Sequence, residues 1–374
     1  MILSDVCEFI VDCPHSTAPD EGKGYPLIRT PNVGKGRLDL NGVHRVSESV
    51  YKQRIQRGAP RANDLIFARE APAGNVALVQ ENQTVCLGQR TVLIRPNVQK
   101  VNPQYLVYYL LSPKPQYELL GTANGATVAH INLPAIRNLK IELPEKSVQD
   151  KIGTILVTYD DLIENNQRQI KLLEEAAQRL YKEWFVDLRF PGHENTKIVD
   201  GVPEGWSRTN INEILTFHRG YDLTKNEMKA GRYPVVGSTT VIGYHNEFKI
   251  KGPGIVTGRS GSLGKYQFIW DNFWPHNTSL YISDYKDHNI FFVYSLLQTV
   301  DFASLNNGGA IPTLNRNVLS NIEVIEPTDE LQEMFAKIAE PQYQKIKNLE
   351  KQNDKLKTAR DLLLPKFMSG EVEV

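Results

Sequence analysis

The sequence predicts an α+β protein: two tandem copies of one α/β module, separated by two long helices that form an antiparallel coiled coil. Three observations support this architecture. The 374-residue chain repeats itself, each copy leads into a strongly helical segment, and each helical segment carries a lone asparagine in its apolar seam. An antiparallel pair of similar helices would relate the two modules by a pseudo-two-fold axis.

The internal repeat is clearest just before each helical segment. Residues 124–144 align with residues 307–327 at an offset of 183, with five identical positions. The match continues towards the N-terminus. Arg69 pairs with Arg259 at an offset of 190, and pairs closer to the N-terminus have an offset of 208. The larger offset places 18 extra residues in the first copy, ahead of Arg69. Self-similarity on this scale indicates duplication of one structural unit.

Short strands and one helix can be predicted inside each copy. Runs of β-branched and aromatic residues bounded by turn residues are typical of strands. They cover residues 65–68, 76–79, 91–94, 254–257, 266–269 and 280–282. Asn102 followed by Pro103 predicts a capped helix start, and the equivalent helix is expected at 287–297. A breaker-rich linker at 191–206 leads into the second copy.

Each copy is followed by a segment with coiled-coil periodicity. Between Ile152 and Trp184, apolar residues recur at alternating steps of four and three, with Asn166 as the single polar exception. A less regular seam runs from Phe335 to Phe367. These segments set the predicted boundaries: first module 1–145, central spacer helix 146–190, linker and second module 191–327, and C-terminal spacer helix 328–374.

The polar seam positions indicate the orientation of the helices. An antiparallel pairing that sets the start of one seam against the end of the other brings Asn166 opposite Asn353, and such a buried pair would fix the register. A parallel pairing would set Asn166 against Leu349. Pro341 and Arg360 interrupt the second seam, and Pro341 predicts a kink or the effective start of that helix. Two helices that each pack on their own module are the alternative.

Composition excludes several classes of protein. Lys+Arg and Asp+Glu number 43 each, and the 41% hydrophobic content is ordinary for a globular chain. No apolar run approaches the ~20 residues that span a bilayer, so we expect no membrane association. Three cysteines without C-x-x-C spacing argue against a disulfide framework or a Cys-based zinc site, and they indicate a reducing cytoplasm.

Three motifs add a family resemblance to the repeat. They are RLYKEWF at 179–185, PEGW at 203–206 and LPKFMSG at 364–370. With them, the chain resembles the specificity subunit of a type I restriction–modification system over nearly its whole length. The resemblance implies that each module is a target recognition domain that reads one half of a bipartite double-stranded DNA sequence. It also implies that the helices form a spacer on which two methyltransferase subunits dock, joined by motor–nuclease subunits for restriction.

The same resemblance implies that this chain binds no cofactor, because S-adenosylmethionine belongs to the methyltransferase partners. We predict no catalytic residue and no metal site. NPQY at 102–105 departs from the Asn-Pro-Pro-Tyr motif of adenine methyltransferases, the glycine-rich stretch at 258–265 lacks Walker spacing, and the eight histidines form no ligand cluster. A stand-alone adenine DNA methyltransferase and a helical interaction adaptor without DNA are the alternative functions.

Candidate DNA-contacting residues are polar side chains at repeat-equivalent loop positions. Arginine and the amides read base edges, while phosphates are bound by basic and hydroxyl side chains. The candidates are Arg29, Thr30, Asn32, Arg69, Gln89 and Arg90 in the first module, and Ser238, Thr240, Arg259, Ser260, Asn277 and Thr278 in the second.

A basic insertion in the first module is the second kind of candidate. Its residues 35–61 contain seven basic side chains and two acidic ones. We predict a phosphate-contacting loop there, because clustered positive charge favours the DNA backbone. The expected contacts are Lys35, Arg37, Arg54, Arg57 and Arg61.

Overall fold

The computed structural model describes residues 1–122, 129–259, 264–300 and 322–374. The chain divides into two compact units. The first comprises Met1–Gln167 and Glu350–Val374, and the second comprises Arg168–Leu349. Each unit therefore contains one α/β module and a part of each long helix.

The described residues of the first module form two small sheets. The strands are β1 (Cys7–Asp12), β2 (Tyr25–Ile28), β3 (Gly36–Arg37), β4 (Arg45–Val46), β5 (Leu65–Ala68), β6 (Val76–Leu78), β7 (Cys86–Leu87) and β8 (Thr91–Pro96). The helices are α1 (Glu48–Arg54), α2 (Pro103–Leu111), α3 (Pro113–Gly121), α4 (Leu133–Arg137) and the first long helix α5 (Lys146–Tyr181). One sheet has the strand order β1-β8-β5-β6-β3, and the other has the order β4-β2-β7.

Helix α2 begins where its sequence predicts. Asn102 Oδ1 accepts a hydrogen bond from Tyr105 N at 3.0 Å, and Pro103 occupies the first helical position. Both features suit a helix start, because the cap satisfies one orphan N–H group and proline has none to satisfy. The apolar residues of α2 join the core that β5, β6 and β8 form.

The second module repeats this topology. Its strands are β9 (Ile198–Val199), β10 (Val202–Pro203), β11 (Ser207–Asn210), β12 (Thr216–Arg219), β13 (Tyr233–Val236), β14 (Val241–His245), β15 (Gly254–Gly258), β16 (Tyr266–Ile269), β17 (Trp274–Pro275), β18 (Ser279–Asp284) and β19 (Glu323–Glu326). The helices are α6 (Ile211–Ile214), α7 (Ile290–Thr299) and the second long helix α8 (Asp329–Ser369). The orders β12-β18-β15-β16 and β14-β13-β17 match β1-β8-β5-β6 and β4-β2-β7. The shared topology confirms that the sequence repeat is a duplicated fold.

One local prediction in the second unit needs correction, and the structure adds detail to another. Helix α7 begins at Ile290 rather than at 287, because the capping residue is Asn289, whose Oδ1 accepts from Phe291 N at 2.9 Å. The linker contains a hairpin of β9 and β10. Its two-residue turn, Asp200-Gly201, has positive φ at both positions, a geometry that an Asp-Gly pair favours.

The long helices pack antiparallel within the first unit. Ile152, near the start of α5, is buried in the same core as Phe367, near the end of α8. Farther along, Asn166 Nδ2 donates to Asn353 Oδ1 at 3.0 Å, and both side chains are buried. From the first contact to the second, the residue number rises along α5 and falls along α8. The two helices are therefore antiparallel, as predicted. That the asparagine pair fixes the register stays a prediction.

Pro341 does not mark the start of the second long helix, because α8 runs continuously from Asp329 through Pro341. A proline within a helix removes one hydrogen bond. Packing around it compensates, since Ala339 and Tyr343 are buried in the core of the second unit together with Tyr181. Both long helices are amphipathic, and no described helix is long and apolar enough to cross a membrane.

Candidate DNA interface

Three loops that carry candidate residues meet at one place in the first module. Gly88 N donates to Ile28 O at 2.8 Å, and Arg69 N donates to Arg90 O at 2.9 Å. The topology explains the meeting, because β2 and β7 are parallel neighbours and the end of β5 pairs with the start of β8. We call this the first loop site, defined by residues 29–32, 69–70 and 88–90.

The second module brings together the equivalent loops. His276 N donates to Val236 O at 2.9 Å, and Arg259 N donates to Thr278 O at 3.1 Å. These bonds join the repeat equivalents of the residues that are joined in the first loop site. We call this the second loop site, defined by residues 237–240, 259 and 276–278. Its candidate Ser260 lies outside the described residues.

The candidates of the first loop site differ in their availability. Thr30 and Asn32 are buried, and Asn32 Oδ1 accepts from Arg29 N at 3.1 Å, so Asn32 shapes the loop and burial disfavours the DNA contacts predicted for both residues. Arg69 is also held by the protein, because its Nε donates to Ile131 O at 2.8 Å. Arg29 Nε, by contrast, is buried without a hydrogen-bond partner. That nitrogen is inaccessible, so a contact of Arg29 with DNA would have to use its terminal nitrogens.

The amide candidates are oriented by neighbouring groups. Gln89 Nε2 donates to His15 O at 3.1 Å, and Asn277 Nδ2 donates to Asp222 Oδ1. Each contact uses one N–H and leaves the amide oxygen to accept another bond, for example from adenine.

The other side chains of the second loop site are partly exposed. Ser238 Oγ donates to Thr278 O at 2.8 Å, and Thr240 is exposed. Within the described residues, the half-buried Arg259 guanidinium has no hydrogen-bond partner. Among the residues that the structure describes, Arg259 thus makes no side-chain contact that corresponds to the bond from Arg69 to Ile131 O.

The basic insertion is folded into the module and is not the open loop that its charge predicts, while phosphate contacts by its exposed residues Lys35, Arg57 and Arg61 stay a prediction. It contributes β3, β4 and α1 to the module. Arg54 is 4% exposed and donates to Pro14 O at 3.3 Å and Ser16 O at 2.5 Å. Its assignment as a phosphate contact is therefore wrong. Other arginines bind carboxylates of the same unit: Arg37 binds Asp161, Arg57 binds Asp12 and Arg61 binds Glu8.

Replacing Arg54 by alanine should lower stability rather than salt-dependent DNA affinity. The change removes two hydrogen bonds that the buried Arg54 guanidinium donates to carbonyl groups, so we expect the free energy of unfolding to fall by about 1–3 kcal/mol. Urea unfolding measures this effect. The control is Lys35→Ala at an exposed position, which should leave stability within about 0.5 kcal/mol and flatten the slope of log affinity against log salt by at most about 0.9. An Arg54→Ala variant that keeps its stability and loses salt dependence would contradict the assignment.

The described residues show little that suits metal binding or nucleophilic chemistry. They contain no group of three or more His, Cys, Asp or Glu side chains that could hold a metal ion. Burial raises the pKa of both Cys7 and Cys86 to about 12. A thiol with such a pKa stays protonated at neutral pH and is a poor nucleophile and metal ligand.

Comparison with known proteins gives relatives that cover most of the chain. It is 27% identical to the type I restriction enzyme MjaIX specificity subunit of Methanocaldococcus jannaschii, over 89% of this chain and 83% of that protein. It is 23% identical to the type I restriction enzyme HindI specificity subunit of Haemophilus influenzae, over 84% and 87% of the two chains. The crystal structure of the type I restriction–modification S subunit from M. genitalium has the same fold, with a TM-score of 0.61 and 18% identity over 98% of this chain and 95% of that one.

The family assignment follows from a match along both modules. The family model described as the type I restriction modification DNA specificity domain matches residues 1–175 and 203–358. The two matched segments correspond to the two copies of the repeat, and each contains one loop site. The chain therefore belongs to the DNA specificity family of type I restriction–modification systems.

Proposed function

We propose that the chain directs a type I restriction–modification complex to a bipartite double-stranded DNA sequence, with one half-site read by each module. The repeated loop site is the observation that carries this proposal. Both modules bring polar side chains together after corresponding strands, but the side chains differ. Arg29 is equivalent to Gly237, and Arg90 is equivalent to Thr278. Because base edges are read by side-chain chemistry, two copies of one fold would recognise different half-sites.

The long helices are proposed to act as the spacer and as the docking surface for two methyltransferase subunits. Both helices expose large apolar side chains, which a bound partner could cover. Leu162 and Leu172 of α5 and Leu362 of α8 are 46%, 59% and 63% exposed. Motor–nuclease subunits would join this assembly for restriction.

The chain is proposed to supply recognition and not catalysis. S-adenosylmethionine would be bound by the methyltransferase subunits. The residues that most resemble a methyltransferase motif are already used for structure, since Asn102 Oδ1 caps α2 and its Nδ2 donates to Asp150 Oδ1 at 2.7 Å. An asparagine engaged in this way is not available to bind a target adenine.

Methylome sequencing tests the proposal directly. The chain is expressed with its cognate methyltransferase subunit in a host without other methyltransferases, and the controls express either protein alone. We expect a methylated motif of two short half-sites separated by an unspecified gap, in the double expression only. Methylation by this chain alone would support the stand-alone enzyme. Absence of methylation, together with absence of DNA binding, would support the adaptor.

A further inference from the structure

Three side chains of the first loop site and the neighbouring His130 form a chain of polar contacts. Arg69 donates to His130 Nε2 at 2.7 Å, and His130 Nδ1 lies 2.5 Å from Glu70 Oε1. Because arginine has only donors, Nε2 must accept, so the ring proton is on Nδ1 and donates to Glu70. The second oxygen of Glu70, Oε2, lies 2.5 Å from a terminal nitrogen of Arg90. Glu70 therefore binds His130 through one carboxylate oxygen and Arg90 through the other.

Glu70 and Arg90 differ sharply in exposure. The Glu70 side chain is 11% exposed, whereas the Arg90 side chain is 62% exposed. Arg90 also has a φ of 63°, in the left-handed region that residues other than glycine seldom adopt. The loop thus presents an arginine at the protein surface, and the more buried Glu70 binds one terminal nitrogen of its guanidinium.

We infer that Glu70 is a positioning residue for base recognition, which orients Arg90 to donate two hydrogen bonds to one guanine of the first half-site. The inference rests on the proposed function. Bidentate bonding to guanine O6 and N7 is the commonest specific contact that arginine makes with DNA. The guanidinium is planar, so a carboxylate that binds one terminal nitrogen restricts the orientations in which the remaining N–H groups can face DNA. An arginine ordered in advance loses less side-chain entropy on binding.

A purely structural role explains the Glu70–Arg90 pair less well. An ion pair with a largely exposed arginine contributes little to stability, while the buried carboxylate loses hydration. The segment around His130 is already tied to this site by the bond from Arg69 to Ile131 O. The pair is also absent from the second copy, where Ser260 and Thr278 occupy the equivalent positions. The fold that the modules share therefore does not require it.

The test measures base preference in the assembled methyltransferase complex. Wild type, Glu70→Gln, Arg90→Ala and the double variant are titrated with duplexes in which each base of each half-site is changed in turn. We expect both single variants to lose discrimination at the same guanine of the first half-site, by about ten- to a hundredfold for Arg90→Ala and less for Glu70→Gln. The double variant should match Arg90→Ala, because Glu70 acts through Arg90. Preferences in the second half-site should not change.

A matched control is available in the same unit. Glu8→Gln removes the carboxylate of another arginine pair, with Arg61 at 3.2 Å, and should leave all base preferences as in wild type. Glu70→Asp keeps the negative charge but moves the carboxylate away from Arg90. It replaces Glu70→Gln if thermal unfolding shows that the glutamine variant is not folded. Equal losses for all sequences, effects at different positions, or additive effects in the double variant would overturn the inference. A wild-type complex without a bipartite preference would instead refute the proposed function.

Discussion

Inserting one heptad into each long helix is expected to lengthen the gap in the recognised DNA sequence and to leave both half-sites unchanged. The insertions follow Gln169 in α5 and Leu349 in α8, which lie opposite each other in the antiparallel pairing. Seven residues keep the apolar seam on one face and add roughly 10 Å at ~1.5 Å per residue. At about 3.4 Å per base pair, the gap should grow by about three base pairs. Methylome sequencing measures the change.

The insertion leaves the observed helix contacts on either side in place. The Asn166–Asn353 hydrogen bond lies before the inserted residues of α5, and the buried residue Ala177 lies after them. Lys171→Ala is the control, because it changes the composition of this exposed stretch without changing its length. Altered half-site bases with an unchanged gap would show that the helices do not set the spacing.

Features that repeat along the chain could be predicted from the sequence. The asparagine contact follows from a regular first seam and a less regular second one, each of which carries one asparagine, at positions that match in the antiparallel pairing. Strands β5 and β15 were predicted because continuous apolar runs are buried whatever their partners are. The two-residue strands β3, β4, β7 and β17 were not predicted, because their pairing depends on strands that are distant in sequence and leaves no local pattern.

The candidate site was only partly predictable. Alignment of the two copies finds the loops that meet, but it cannot identify a residue that only one copy has. Glu70 was missed for this reason, because its equivalent is Ser260. Arg54 was misjudged because a cluster of basic residues usually indicates a solvated surface. The carbonyl groups that bind it belong to Pro14 and Ser16, about forty residues away in the sequence.

The largest effect on stability is expected at Arg360, in the helix pair of the first unit. Arg360 of α8 donates to Asp160 of α5, and Asp160 also accepts from Tyr108 Oη at 2.6 Å. The side chains of Asp160 and Arg360 are only 3% and 13% exposed. Burial, together with the Asp160 carboxylate, raises the pKa of Tyr108, so its hydroxyl remains a donor. One buried carboxylate therefore depends on two donors from two other helices.

Replacing Arg360 by alanine should destabilise the chain by about 3–5 kcal/mol, because it leaves Asp160 buried without a counter-charge. Urea unfolding measures the loss. Arg61→Ala, which breaks a more exposed pair with Glu8, is the control and should change stability by no more than about 1 kcal/mol. A loss at Arg360 no larger than the loss at Arg61 would show that water reaches Asp160 and screens its charge.

A double variant separates stability from specificity. Asp160→Leu with Arg360→Met replaces the ion pair by apolar groups, and such replacements of buried pairs are often neutral or stabilising. We expect it to recover most of the stability that Arg360→Ala loses, although the Tyr108 hydroxyl then lacks its acceptor. The ion pair would accordingly determine which faces of the two helices pack together, and it would contribute little to the free energy of unfolding. An arginine that interrupts the apolar seam of α8 is compatible with close packing because α5 supplies a carboxylate at the matching position.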